Sequence, residues 1–101
     1  MSDTIEKLVK TIRSRKGSDI KSSYTALLLS KGNDHCLNKL KEEMTELEDA
    51  IKNKKNTVYE SADVVYHLLV TLESAGINFD DIMKEIQKRE GVSGFEEKRS
   101  R

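Results

Sequence analysis

Apolar residues recur along this chain at intervals of three and four, the spacing of one face of an α-helix. Ile5, Leu8, Val9 and Ile12 set a first helix, with Ser2 or Asp3 at its N-cap, Arg13, Arg15 and Lys16 in its last turn and Gly17 ending it. Ser18 to Lys21 reads as a loop, followed by a short helix over about Ser23 to Ser30, with Gly32 just past its end. A third helix starts near Asn33 or Asp34 and carries a coiled-coil-like stripe of Leu37, Leu40, Met44, Leu47 and Ile51. The polar stretch Lys52 to Asn56 connects it to a fourth helix, about Thr57 to Ala75. There the apolar residues, Val58 and Tyr59 through Leu72, cover most of the circumference, which predicts a central helix. Gly76 ends it. Asn78 caps a fifth helix with Asp81 in its first turn and Ile82, Met83 and Ile86 on its inner face; Gly91 ends that helix, and residues 91–101 form a polar C-terminal tail.

The pattern predicts an all-α chain of about five helices, one domain over residues 1–101. Composition agrees: there is no proline in 101 residues, so the commonest helix breaker is missing. A core in so short a chain is small, which favours completion of the bundle by dimerisation or a higher homo-oligomer. One cysteine excludes an internal disulfide framework and a cysteine-based zinc cluster. Eighteen basic residues against eighteen acidic exclude a generally basic nucleic-acid binder. The acidic N-terminus is no secretory signal, and the apolar run Val64 to Leu72, broken by His67, is too short to span a membrane; the expected location is cytoplasmic.

The zero net charge is unevenly spread. Residues 1–31 carry +4, residues 32–63 carry −3 and residues 64–101 carry −1. A basic end beside an acidic middle suits a phosphate-rich ligand and its accompanying cation; chance segregation of surface charge is the plain alternative.

The acidic middle holds the candidate chemistry. Glu43 and Glu46, three apart, share a face of the third helix, with Glu42 beside them; Glu43 lies roughly 70° from the centre of the apolar stripe, on its border. Glu60 and Asp63, again three apart, stand on the fourth helix with His67 one turn on. Apart from Thr57 and Ser61 near its start and Glu73 and Ser74 in its last turn, these three and Thr71 are the polar groups on that helix. Unpaired carboxylates on a central helix are costly, and two such pairs facing each other repel. A divalent cation relieves both: Mg²⁺ takes hard oxygen ligands at roughly 2.1 Å and keeps waters and substrate phosphates. The competing reading makes Glu42, Glu43 and Glu46 a solvated face paired with Lys39 and Lys41, and pairs Glu60 and Asp63 with neighbouring cations.

The segments Glu42-Glu-Met-Thr-Glu46 and Tyr59-Glu-Ser-Ala-Asp-Val-Val-Tyr-His-Leu-Leu-Val70 resemble the all-α nucleoside-triphosphate pyrophosphohydrolases of MazG type. Ser23-Tyr24-Thr25-Ala26, Lys31-Gly32, Lys39 and the tail Gly91-Val-Ser-Gly-Phe-Glu-Glu-Lys98 narrow the likeness to the phosphoribosyl-ATP pyrophosphatases of histidine biosynthesis. The resemblance implies a MazG-like helical bundle and Mg²⁺-dependent hydrolysis of phosphoribosyl-ATP between its α and β phosphates, giving phosphoribosyl-AMP and pyrophosphate. It implies metal ligands at Glu43, Glu46, Glu60 and Asp63, with Glu42 as an accessory carboxylate and Glu42 or Glu46 as acceptor of the water's proton. Lys31 and Lys39 are candidate phosphate contacts, against the reading of solvated lysines. Ser23, Tyr24 and Thr25 are candidate phosphate or ribose contacts, against a plain N-cap. His67 either orients a ligand, touches substrate, or is a core histidine. One departure is Lys41, where that family usually has glycine.

Two other functions fit the same residues. A house-cleaning pyrophosphatase acting on dUTP or dCTP would use the same carboxylates, and substrate profiling separates it. A non-catalytic helical dimerisation module would use the leucine-rich stripe, but it leaves the polar strip on the fourth helix without a purpose.

Overall fold

A computed structural model describes residues 2–100, apart from the side chain of Ser2. Six helices follow one another among them: α1 (Ser2–Arg15), α2 (Tyr24–Ser30), α3 (Asn33–Asn53), α4 (Thr57–Ser74), α5 (Phe79–Lys88) and α6 (Gly94–Ser100). Ser2 and Asp3 both lie inside α1, so neither is its cap, and the capping position falls outside the described residues.

α3 and α4 form a long antiparallel hairpin. The turn between them is tight because Lys54 and Asn56 both adopt the left-handed conformation, with φ of 54° and 58°. Asparagine tolerates that region; lysine is rarer there. The hairpin register is pinned along its length. Lys55 donates its backbone N–H to the carbonyl of Ala50, and the Thr57 hydroxyl donates to the same carbonyl. At the far end the Thr71 hydroxyl donates to the Cys36 carbonyl at 3.3 Å, and Ser74 bonds Asn33 at 2.6 Å. This register sets Glu43 opposite the Asp63–His67 turn of α4.

α4 touches α1, α2 and α3, which bears out its central place. The core is Ile12, Leu28, Cys36, Leu69 and Val70, contributed by these four helices, with Leu8, Val9, Leu29, Tyr66 and Phe79 packed on it. Arg13 reaches across from α1 to Glu73 on α4 at 3.3 Å. The three neighbours cover only part of α4, however. His67, Leu69, Val70 and Thr71 are buried, whereas Val58 (85% exposed), Tyr59, Val65 and Leu68 face outward. α5 is capped by the Asn78 side chain, as its sequence indicates, but Ile86 is exposed rather than turned inward.

The polar tail contains a helix of its own. Ser93 accepts a hydrogen bond from the backbone of Glu96, an N-cap that starts α6, and Arg89 bridges Glu85 and Glu97. Its sequence carries a single large apolar residue, Phe95, so it has no stripe from which to read a helix. No described helix is long and apolar enough to cross a membrane.

Candidate active site

The acids of α3 and α4 meet where the hairpin register brings them. Glu43, Glu60 and Asp63 each place a carboxylate oxygen within 4.8 Å of the other two, and all three residues are partly buried. Spacing explains the convergence: Glu60 and Asp63 are one turn apart on α4, and Glu43 lies on the border of the face α3 turns toward them. Oε2 of Glu43 and Oε2 of Glu60 are buried and have no hydrogen-bond partner. Orphaned carboxylate oxygens in a buried position are costly.

The electrostatics record that cost. Glu43 has its pKa pushed up to about 7, first by a hydrogen bond that Glu46 can share when one of the two is protonated, then by burial, then by the charges of Glu46, Asp63 and Glu60. Glu60 is also raised, by burial first and then by Glu46 and Asp63. Three converging carboxylates with hard oxygen donors, two of them orphaned, fit a divalent cation. Among the described residues no lysine or arginine forms an ion pair with any of the trio, so the cationic-partner reading of Glu60 and Asp63 gains no support.

Glu46, the fourth acid on the strip, stands outside the trio. It is exposed and, with Glu60, lines a cleft completed by Asp49, Ala50, Asn53, Lys55 and Asn56. Glu42 points away from α4: it is exposed and pairs with Lys39 at 3.3 Å, so for this one residue the solvated-face reading describes the geometry. Glu42 in turn holds the Lys39 ammonium above its usual pKa. Tyr24 and, more weakly, Glu43 push the same way. Lys41 is exposed in the middle of α3, and the Thr45 hydroxyl donates to its carbonyl.

α2 borders the site. Ser23 is its N-cap, its hydroxyl accepting from the Ala26 N–H at 3.1 Å. Tyr24 is half exposed, and the Thr25 hydroxyl is bonded to that of Tyr66 on α4. Lys31 is exposed at the C-terminal end of α2 and is not among the groups drawn together here. His67 is buried and faces the acids: its Nε2 lies 3.6 Å from Oε1 of Glu43. Burial lowers its pKa below the ordinary value, so the ring is neutral at pH 7.

Two residues of the site have no mark in the sequence pattern. Tyr66 looks like a core or interface residue from its apolar surroundings, yet its hydroxyl ties α4 to α2. Lys55 looks like part of a solvated connector, but the left-handed turn returns it to the cleft beside Glu46 and Glu60. Neither signal lies in side-chain periodicity; both come from how separate elements are folded back on each other.

Residues 5–90 match the family described as phosphoribosyl-ATP pyrophosphohydrolase. A phosphoribosyl-ATP pyrophosphatase of Dechloromonas aromatica is 46% identical over 101 residues, spanning 98% of this chain and 94% of that protein. One of Rhodobacter capsulatus is 42% identical, spanning 96% of each. A histidine biosynthesis bifunctional protein of Wolinella succinogenes is 46% identical over 96% of this chain, but the match takes up only 43% of that longer protein. With the acidic site lying inside the matched residues and the Dechloromonas and Rhodobacter proteins aligned almost end to end, the chain belongs to the phosphoribosyl-ATP pyrophosphohydrolase family.

Proposed function

We propose that this chain hydrolyses phosphoribosyl-ATP to phosphoribosyl-AMP and pyrophosphate, a step of histidine biosynthesis in the cytoplasm, with Mg²⁺ as cofactor. The observation that carries the reading is the trio Glu43, Glu60 and Asp63, with two orphaned oxygens, inside a chain of this family. In the reaction a water oxygen bonds to phosphorus, the anhydride between the α and β phosphates breaks, and pyrophosphate departs. Glu43, Glu60 and Asp63 would hold the cation, with Glu46 completing the set from the rim. Bound there, Mg²⁺ would neutralise phosphate charge and acidify water. Glu46, exposed at the cleft, is well placed to accept the water's proton, and Lys39 to face a phosphate. Tyr24 offers a half-exposed ring beside the site for the nucleoside. Positioning and electrostatics do most of the work in phosphoryl chemistry.

The test is pyrophosphate release from phosphoribosyl-ATP, with Mg²⁺ and with a chelator. Release that needs the metal and exceeds release from dUTP or dCTP supports the reading. Faster turnover of dUTP or dCTP points to a house-cleaning enzyme instead, and no release from any of them refutes catalysis.

We also propose that the working form is a homodimer built on one domain per chain. Met44, Leu47, Ile51 and Val64 line an apolar groove between α3 and α4, and Val58, Val65 and Leu68 add exposed apolar surface on α4. Apolar surface of this extent on so small a protein marks an interface. Replacing the exposed Ile51 by Glu is expected to shift the sedimenting species from dimer to monomer while leaving the helical circular-dichroism spectrum intact. A wild-type chain that sediments as a monomer would refute the dimer.

A further inference from the structure

His67 belongs to no part of the proposed reaction so far, and its position is unusual for a core residue. It is only 5% exposed, on the face of α4 that looks at Glu43. Two aromatic rings hold it edge-on. Tyr66 stands at 5.1 Å between centroids with an interplanar angle of 85°, and Tyr24 at 6.3 Å with 78°. Both lie within the favourable range for edge-to-face packing. Tyr66 is fixed in its turn by the hydroxyl contact with Thr25. The imidazole is therefore clamped between α2 and its own helix, and its free tip, Nε2, points at Oε1 of Glu43 from 3.6 Å. A shift of a few tenths of an ångström closes that gap to a hydrogen bond.

Resting on the reading of Glu43 as a cation ligand, we infer that His67 is a positioning residue for the Glu43 carboxylate, set by the Tyr24–Tyr66 clamp, and not a substrate contact. The logic is geometric. Glu43 has one oxygen, Oε2, buried without a partner and the other, Oε1, facing His67. A donor on Oε1 fixes the rotation of the carboxylate, and with it the direction in which the partnerless Oε2 is presented. Groups that orient metal ligands from behind commonly account for ten- to hundredfold in affinity. The same clamp buries the ring beneath Tyr24, which keeps it from reaching a ligand in the open cleft. Three helices thereby meet on one carboxylate: α2 through Thr25 and Tyr24, α4 through Tyr66 and His67, and α3 through Glu43 itself.

Mn²⁺ binding to the substrate-free protein, followed by electron paramagnetic resonance, tests this without relying on turnover. His67→Asn puts its amide near the place of Nδ1 and leaves nothing at Nε2, whereas His67→Gln carries an N–H out to the Nε2 position. The Asn variant is expected to bind Mn²⁺ about tenfold or more weakly, and the Gln variant within about threefold of wild type. At saturating Mg²⁺ the KM of the Asn variant for phosphoribosyl-ATP is expected to stay near wild type. Should the Asn variant not fold, His67→Phe keeps a ring between the two tyrosines and takes its place. Wild-type Mn²⁺ affinity in the Asn or Phe variant, or a raised KM with unchanged metal affinity, overturns the inference. Asp63→Asn run alongside separates the two levels. If it too binds Mn²⁺ normally, the ligand assignment itself has failed; if it alone loses Mn²⁺, only the role of His67 has.

Discussion

Asp63→Asn is expected to lower pyrophosphate release from phosphoribosyl-ATP by about 10²–10³-fold, and Glu60→Gln to do the same. Both substitutions keep the shape of the side chain and remove one negative charge from the place where the carboxylates of α3 and α4 converge. Neither residue ties the fold together. The hairpin is held by Thr57, Thr71 and Ser74 reaching across to α3, and the core lies at Ile12, Leu28, Cys36, Leu69 and Val70. The variants should therefore melt at or above the wild-type temperature while losing turnover. Loss of a ligand should also move the Mg²⁺ concentration needed for half-maximal rate upward, which a merely structural defect would not do. Full activity with an unaltered Mg²⁺ requirement in both variants would show that Glu60 and Asp63 are not ligands.

The legibility of this site in the sequence follows from what a helix fixes and what it does not. Three-residue spacing placed Glu60 and Asp63 on one strip of α4, and the rarity of polar groups on that helix marked the strip as costly; the structure gathers them with Glu43. Ser23 shows the limit of that reasoning. Its sequence context suits a ligand contact or a cap equally, and only the Ala26 N–H within 3.1 Å settles its cap. His67 shows a second limit: periodicity puts it one turn beyond Asp63, but its contact depends on the register of α3 against α4 and on the tyrosines beside it. The sixth helix offers no apolar stripe to read; a Ser93 cap and an Arg89–Glu97 bridge accompany it instead. The outward-facing apolar residues of α4 are the converse. Their sequence predicts burial on all sides, and one chain supplies helices for only part of the circumference.

Glu43→Gln is expected to abolish most turnover and at the same time to stabilise the metal-free protein. The sign follows from the direction of the shift. Glu43 has its pKa raised from 4.5 to about 7 in the folded chain, so between those values the native state holds a proton that the unfolded state has released. The contribution of Glu43 to the stability of the metal-free protein therefore falls as pH rises from about 4.5 to about 7, and above 7 the whole cost of its ionised form is present. That cost is about 1–2 kcal/mol after allowance for solvent screening, or several degrees in Tm for a domain of this size. The glutamine removes the charge that Glu46, Glu60 and Asp63 repel, so its metal-free melting temperature above pH 7 should exceed wild type and vary less with pH. Saturating Mg²⁺ should reverse the order. Wild type gains RT ln(1 + [Mg²⁺]/Kd), about 2.7 kcal/mol at a hundredfold excess over Kd, while the variant, short of one ligand, gains far less. Thermal melts of both proteins at pH 5 and pH 8, with chelator and with Mg²⁺, at one protein concentration, read out all four terms. A melting-temperature gap that does not widen in favour of the glutamine variant from pH 5 to pH 8 in chelator, or a wild type that ignores Mg²⁺ at pH 8, would contradict a cluster of strained carboxylates waiting for a cation. The expected crossing of the two proteins ties stability to function: the repulsion that weakens the empty site is what makes the trio bind a divalent ion.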